Sequence, residues 1–123
     1  MGSGNAGRLY GTLELLIMNT LRDAEPMHGL SIAREIENLS GDVLQIEEGA
    51  LYPALHRLVA QGLIEGEWRI SEKRRRARFY VLTKAGDKEL RSELGEWLVH
   101  TRAVLDVLDV AAIDLKPLGE VSG

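Results

Sequence analysis

Six cations crowd into ten residues of this chain: Arg69, Lys73, Arg74, Arg75, Arg76 and Arg78. One acid, Glu72, interrupts them, so the stretch carries a net +5 while the rest of the chain carries −9 and the whole carries −4. These are fixed charges with no nucleophile or general base among them. They hold anions rather than break bonds, and arginine forks with a lysine point charge suit phosphate oxygens. An acidic body with one concentrated basic projection draws a polyanion to one place on the surface.

The remaining residues offer no catalytic constellation. There is no cysteine, which excludes disulfides, thiolate metal sites and a cysteine nucleophile. His28, His56 and His100 stand far apart, and His100 with Asp106 or Asp109 matches no recognised metal spacing. No glycine-rich phosphate loop, nucleophile elbow or pair of catalytic carboxylates occurs. The expectation is a protein that is not an enzyme and has no cofactor and no metal. The most apolar stretch, Leu9 to Leu21, is broken by Gly11, Thr12, Glu14, Asn19 and Thr20. It cannot span a bilayer and lacks the features of a signal peptide, so the expected location is the cytoplasm, with no membrane partner.

The elements that must carry these cations follow from periodicity. Leu9, Leu13, Leu16, Ile17 and Leu21 recur at helical spacing, and Pro26 forbids continuation. Leu30, Ala33, Ile36 and Leu39 mark a second short helix, capped by Ser31 or beginning nearer His28. Ala50–Gln61 reads as a third, burying Leu51, Leu55, Leu58 and Val59 while Tyr52, His56 and Arg57 project elsewhere. Pro53 is expected within the first turn, which sets the start near Gly49 or Ala50. Gly62 supplies a left-handed stop. Ile64, Trp68 and Ile70 alternate with Glu65, Glu67 and Arg69, and residues 79–83 are aromatic and β-branched, which predicts an antiparallel hairpin with a long basic tip. Thr83 caps a final long helix, in which Leu94, Leu98, Thr101, Leu105, Leu108 and Ala112 recur at steps of four and three.

The expected fold is mainly α with a small β-hairpin: a winged helix-turn-helix over residues 8–86 plus a long C-terminal dimerisation helix over 87–115. Residues 1–7 read as a flexible arm or cloning remnant and 116–123 as a flexible tail.

Several of these segments resemble the PadR family of bacterial transcriptional regulators, over roughly residues 9–108. Leu13-Glu14-Leu15-Leu16-Ile17 resembles the family's first helix. His28-Gly29-Leu30 with Ile36 is similar to another family segment, with Leu30 where an aromatic is usual. The run from Gly49 to Leu58, with its Leu-Tyr-Pro-x-Leu core, resembles the recognition helix. Gly62-Leu63-Ile64 and Tyr80 to Gly86 resemble the wing. The short tail fits the compact branch with one C-terminal helix. The resemblance implies a homodimeric repressor of its own or a neighbouring operon, binding double-stranded operator DNA. In some members a small hydrophobic or phenolic effector releases the DNA.

On that reading the DNA-binding candidates are Tyr52, His56, Arg57, Lys73, Arg74, Arg75, Arg76 and Arg78, with Arg69 joining the wing. Glu48 and Ala50 lie where such helices read bases, and the backbone at His28 and Gly29 suits a phosphate. The dimerisation candidates are Leu94, Trp97, Leu98, Thr101, Leu105 and Leu108. Trp97 is also the candidate ligand contact, although packing explains a lone Trp as well. Each residue has a plainer reading: a solvated His56, an Arg57 ion-paired with Glu48 or another acid, a Tyr52 packed on the first helix. The rival class is a winged-helix protein–protein adaptor, which has no use for the cations of residues 69–78.

Overall fold

In the computed structural model, residues 4–109 are described, with side chains from Thr12 onward. The order is α1 (Gly4–Leu21), β1 (Met27–His28), α2 (Gly29–Leu39), α3 (Glu48–Ala60), β2 (Ile64–Ile70), β3 (Arg76–Leu82) and α4 (Lys84–Val107). Helix α1 starts at Gly4, upstream of the periodic stripe, and so takes in part of the expected arm. No proline breaks the stretch from Gly4 to Tyr10, although Gly7 is a weak helix former. The side chain of Leu9, Ala112 and the tail of 116–123 lie outside the described residues.

One apolar core gathers the three N-terminal helices. Ile17 and Met18 of α1, Ile32 of α2, and Leu51, Leu55 and Leu58 of α3 are all buried, joined by Ile64, Tyr80 and Leu90. Val59, expected in that face, is half-buried. The Gly62 stop forms as expected. Gly62 lies at φ 73°, its N–H donates to the Val59 carbonyl (2.9 Å), and the Leu63 N–H reaches the Leu58 carbonyl (3.0 Å).

Of the two readings of α2, the start nearer His28 holds: the His28 ring nitrogen Nδ1 lies 3.3 Å from the Ser31 backbone N and accepts from its N–H. Three expectations are corrected. Helix α3 starts at Glu48, since the Glu47 carbonyl already accepts from Ala50 and Leu51 N–H at 3.0 and 2.9 Å. Pro53 is thus the sixth helical residue and lies beyond the first turn. It denies the Gly49 carbonyl its i+4 donor, at an exposed residue where water can supply one. The sheet has three strands in the order β1-β3-β2, all antiparallel, because Met27 and His28 pair with Tyr80 and Phe79. Finally, β3 begins at Arg76 rather than Phe79, which places Arg76 and Arg78 on the strand and shortens the tip.

The chain divides into two units, one ending at Arg91 and one beginning at Ser92. Thr83 caps α4 as expected: its Oγ1 accepts from the Gly86 N–H (2.9 Å) and donates toward the Gly62 and Leu63 carbonyls (2.8 and 3.0 Å). Among described α4 residues only Gly86 and Leu90 are buried.

Candidate nucleic-acid interface

The hairpin turn is tighter than its sequence implies. Ile70 pairs with Arg76, leaving Ser71 to Arg75 outside the ladder. Ser71 N–H donates to the Arg75 carbonyl and Arg74 N–H to the Ser71 carbonyl, both at 2.8 Å. The Ser71 hydroxyl accepts from Arg75 N–H (3.3 Å). This is a three-residue loop in which Arg74 takes the left-handed position at φ 61°. Glycine is the residue that position favours, and a non-glycine residue there costs about 1 kcal/mol. Arg74→Gly is therefore expected to raise the urea midpoint of unfolding, by up to about 1 kcal/mol in stability. The same change removes an exposed cation, so phosphate affinity should fall while stability rises, and titration of a labelled duplex checks it.

The other cations divide. Lys73, Arg74, Arg75 and Arg76 are exposed at the turn and its edge. Arg78 is half-buried on the sheet: it donates to the Gly66 carbonyl (3.2 Å) and its guanidinium carbon lies 5.5 Å from the Trp68 ring centre. Arg69 donates to the Glu67 carboxylate at 2.7 Å and lies over Phe79. Both are tied to the hairpin, so the tip rather than the whole segment carries the freely displayed charge.

On α3, Tyr52 and His56 are exposed one turn apart. The Tyr52 ring lies on α2's first residue: a Cβ built at Gly29 would stand 3.2 Å from Tyr52 Cε1 and from Leu55 Cδ1. The His-Gly and Leu-Tyr-Pro segments thus meet, and any larger residue at Gly29 would press on the ring and on Leu55. Arg57 turns back to α1, with its Nε 3.5 Å from Glu14 Oε1. The plainer reading of Arg57 therefore has its acid, in a place the sequence does not reveal. Burial raises the Tyr80 phenol above its ordinary pKa of 10.0; neighbouring Arg78 opposes the rise and Tyr52 adds to it. Tyr80 remains neutral across physiological pH.

The expected dimerisation residues lie along α4. Leu94 and Thr101 are half-buried, and Trp97, Leu98, Leu105 and Leu108 are exposed, with Val104 beside them. No group of three potential ligands among the described residues could hold a metal ion. No helix among them is long and apolar enough to cross a membrane.

Three helices, a β-wing that displays cations and an appended helix define the class: a winged helix-turn-helix domain. Residues 17–92 match the model of the PadR-like family of transcriptional regulators. The chain belongs to that family, whose members are regulators and not enzymes. It is 39% identical over 74 residues to a transcriptional regulator of Mycobacterium tuberculosis, a match covering 60% of this chain and 64% of that one. A PadR-like transcription factor from Bacteroides fragilis superposes with a TM-score of 0.70 at 28% identity, covering 85% of this chain and 98% of that one. A PadR family regulator from Eggerthella lenta gives 0.68 at 31% identity, covering 86% and 90%.

Sequence reasoning missed the stacking on the wing, in which Arg76 and Arg78 both lie against Trp68. The signal was present: extending the two-residue alternation backward from Tyr80 puts Arg78 and Arg76 on one face.

Proposed function

We propose that this regulator acts as a homodimer on double-stranded operator DNA, as a repressor of its own or a neighbouring operon. The observation that carries the reading is the cluster of exposed cations at Lys73 to Arg76, held on a hydrogen-bonded turn in a chain that is acidic elsewhere. Helix α3 enters the major groove with Tyr52 and His56 outward, while the wing meets flanking phosphates. Arg57 braces α3 against Glu14 rather than meeting DNA first. An adaptor domain would have no use for such a tip.

The apolar stripe of α4 supports the dimer. Exposed apolar side chains at three- and four-residue steps seek a partner helix. Two copies would set two recognition helices about 34 Å apart, one turn of DNA. Trp97, which is 39% exposed beside the stripe, is where a small hydrophobic or phenolic effector would gain contact.

A gel shift with the DNA upstream of its own gene tests the reading. Retarded complex that fades as salt rises is expected, and no complex at low salt overturns DNA binding. Sedimentation tests the dimer: Leu105→Asp buries a charge in the seam and should give monomers. A variant that remains dimeric removes α4 from the interface.

A further inference from the structure

The strand register sorts the wing's side chains onto two faces, because directly paired residues share a face and alternate along each strand. One face carries Glu65, Glu67 and Arg69 opposite Val81, Phe79 and Ala77. Its one cation is already held by Glu67. The other face carries Ile64, Gly66, Trp68 and Ile70 opposite Leu82, Tyr80, Arg78 and Arg76, and holds no acid.

On that acid-free face rings and guanidinium groups alternate. The Arg78 guanidinium carbon lies 6.0 Å from the Tyr80 ring centre and 5.5 Å from that of Trp68, and Arg76 lies 4.8 Å from Trp68 on the outward side. Gly66 makes the stack possible, since a Cβ there would come within 2.7 Å of Arg78 Nη2 and 2.9 Å of Tyr80 Cε1. The stack starts at buried Tyr80 and ends at exposed Arg76. Beside it Trp68 is 55% and Ile70 65% exposed, two large apolar side chains displayed within the most cationic stretch of the chain.

We propose that this face of the wing, and not its turn alone, lies against duplex DNA, with Trp68 and Ile70 resting on deoxyribose and Arg76 held toward a phosphate. The inference rests on the DNA-binding reading above and assigns it a surface. Charge selects the face, because phosphates are repelled by Glu65 and Glu67 on one side and meet only cations on the other. Chemistry selects the contacts. A guanidinium stacked through its π face keeps its in-plane N–H donors free for phosphate oxygens. The sugars are the apolar part of a backbone whose charge the neighbouring arginines neutralise. Trp68 is thus a contact residue, and Arg78, fixed between Trp68 and Tyr80, is a positioning residue.

Tryptophan fluorescence and duplex affinity test this together. The probe is a labelled mixed-sequence duplex of about three helical turns at low salt, with anisotropy reporting binding. Duplex should quench the wild-type emission, and most of that change should disappear in Trp68→Phe, which leaves Trp97 as the other reporter. Trp68→Ala should raise Kd about tenfold and lower the log–log salt slope by about one unit per wing as Arg76 loses its support. Trp68→Phe, which keeps a ring for Arg76, should restore most of the slope. Circular dichroism on each variant shows that the fold persists. Wild-type binding with an unchanged salt slope in Trp68→Ala, or a quench that survives in Trp68→Phe, overturns the proposal and leaves DNA binding standing. Wild-type protein that binds no duplex overturns the DNA reading itself. Equal quenching of Trp68 by polyglutamate overturns the sugar contact.

Discussion

Replacing Arg74, Arg75 and Arg76 together with Ala should flatten the salt dependence of DNA binding by about one unit of log–log slope for each phosphate no longer neutralised. With both wings of a dimer engaged the change approaches about 5 units, and low-salt affinity should fall by roughly a hundredfold or more. The effect is large because the charge is concentrated. Outside residues 69–78 the chain carries nine bases against eighteen acids, a net −9, so no comparable concentration of positive charge takes over when the tip is removed. Arg69→Ala is the internal control. It also lies within the basic segment, but its charge is already engaged by Glu67 at 2.7 Å. Its loss should leave the slope within about half a unit. Measuring Kd between low and physiological salt for the three proteins separates the cases. Equal slopes in wild type and triple variant would remove the wing tip from the interface, and an Arg69 effect as large as one tip arginine would mean that total charge, not placement, governs binding.

The contrast between Arg69 and Arg74 also shows how far a sequence carries such a site. Both are arginines in one run, and composition treats them alike. What separates them is register: alternation puts Arg69 beside Glu67 on one face, while the turn puts Arg74 in the left-handed position. The helices are legible because a buried stripe repeats at helical spacing, and the Gly62 stop because only glycine takes that conformation freely. Strand β1 is not, since two residues have no period to detect. Neither is the start of α3: proline usually marks a first turn, but here Pro53 is the sixth helical residue, and the carbonyl it leaves without an i+4 donor belongs to exposed Gly49. The acid that holds Arg57 lies on another helix, and no local pattern points to Glu14. The stripe of α4 is visible in sequence, and its partner is the part that sequence does not contain.

Two glycines of α4 should respond to the same substitution with opposite signs. Gly86 sits in the first turn of the helix, buried where the α3–β2 connection, the end of β3 and α4 meet. A Cβ there would clash with the backbone carbonyl oxygen of Leu63 and stand 2.6 Å from Leu82 Cδ1. The Leu63 carbonyl cannot retreat cheaply, because it accepts from both Thr83 N–H (3.1 Å) and Thr83 Oγ1 (3.0 Å), the pair that ties the wing to the helix start. Gly86→Ala should therefore destabilise the domain by about 3 kcal/mol, the upper end for overpacking, since backbone rather than a flexible side chain must move. Gly95 lies further along the helix, exposed, with nothing within 4 Å of the place a Cβ would occupy. There Ala supplies only helix propensity, and Gly95→Ala should stabilise by about 0.5–1 kcal/mol. Urea unfolding at fixed protein concentration reads both, as a midpoint shifted down for one and up for the other. If Gly86→Ala unfolds at the wild-type midpoint, the close packing of α4 on the Leu63 carbonyl is wrong, and with it the account of how the wing is anchored to the helix that follows it.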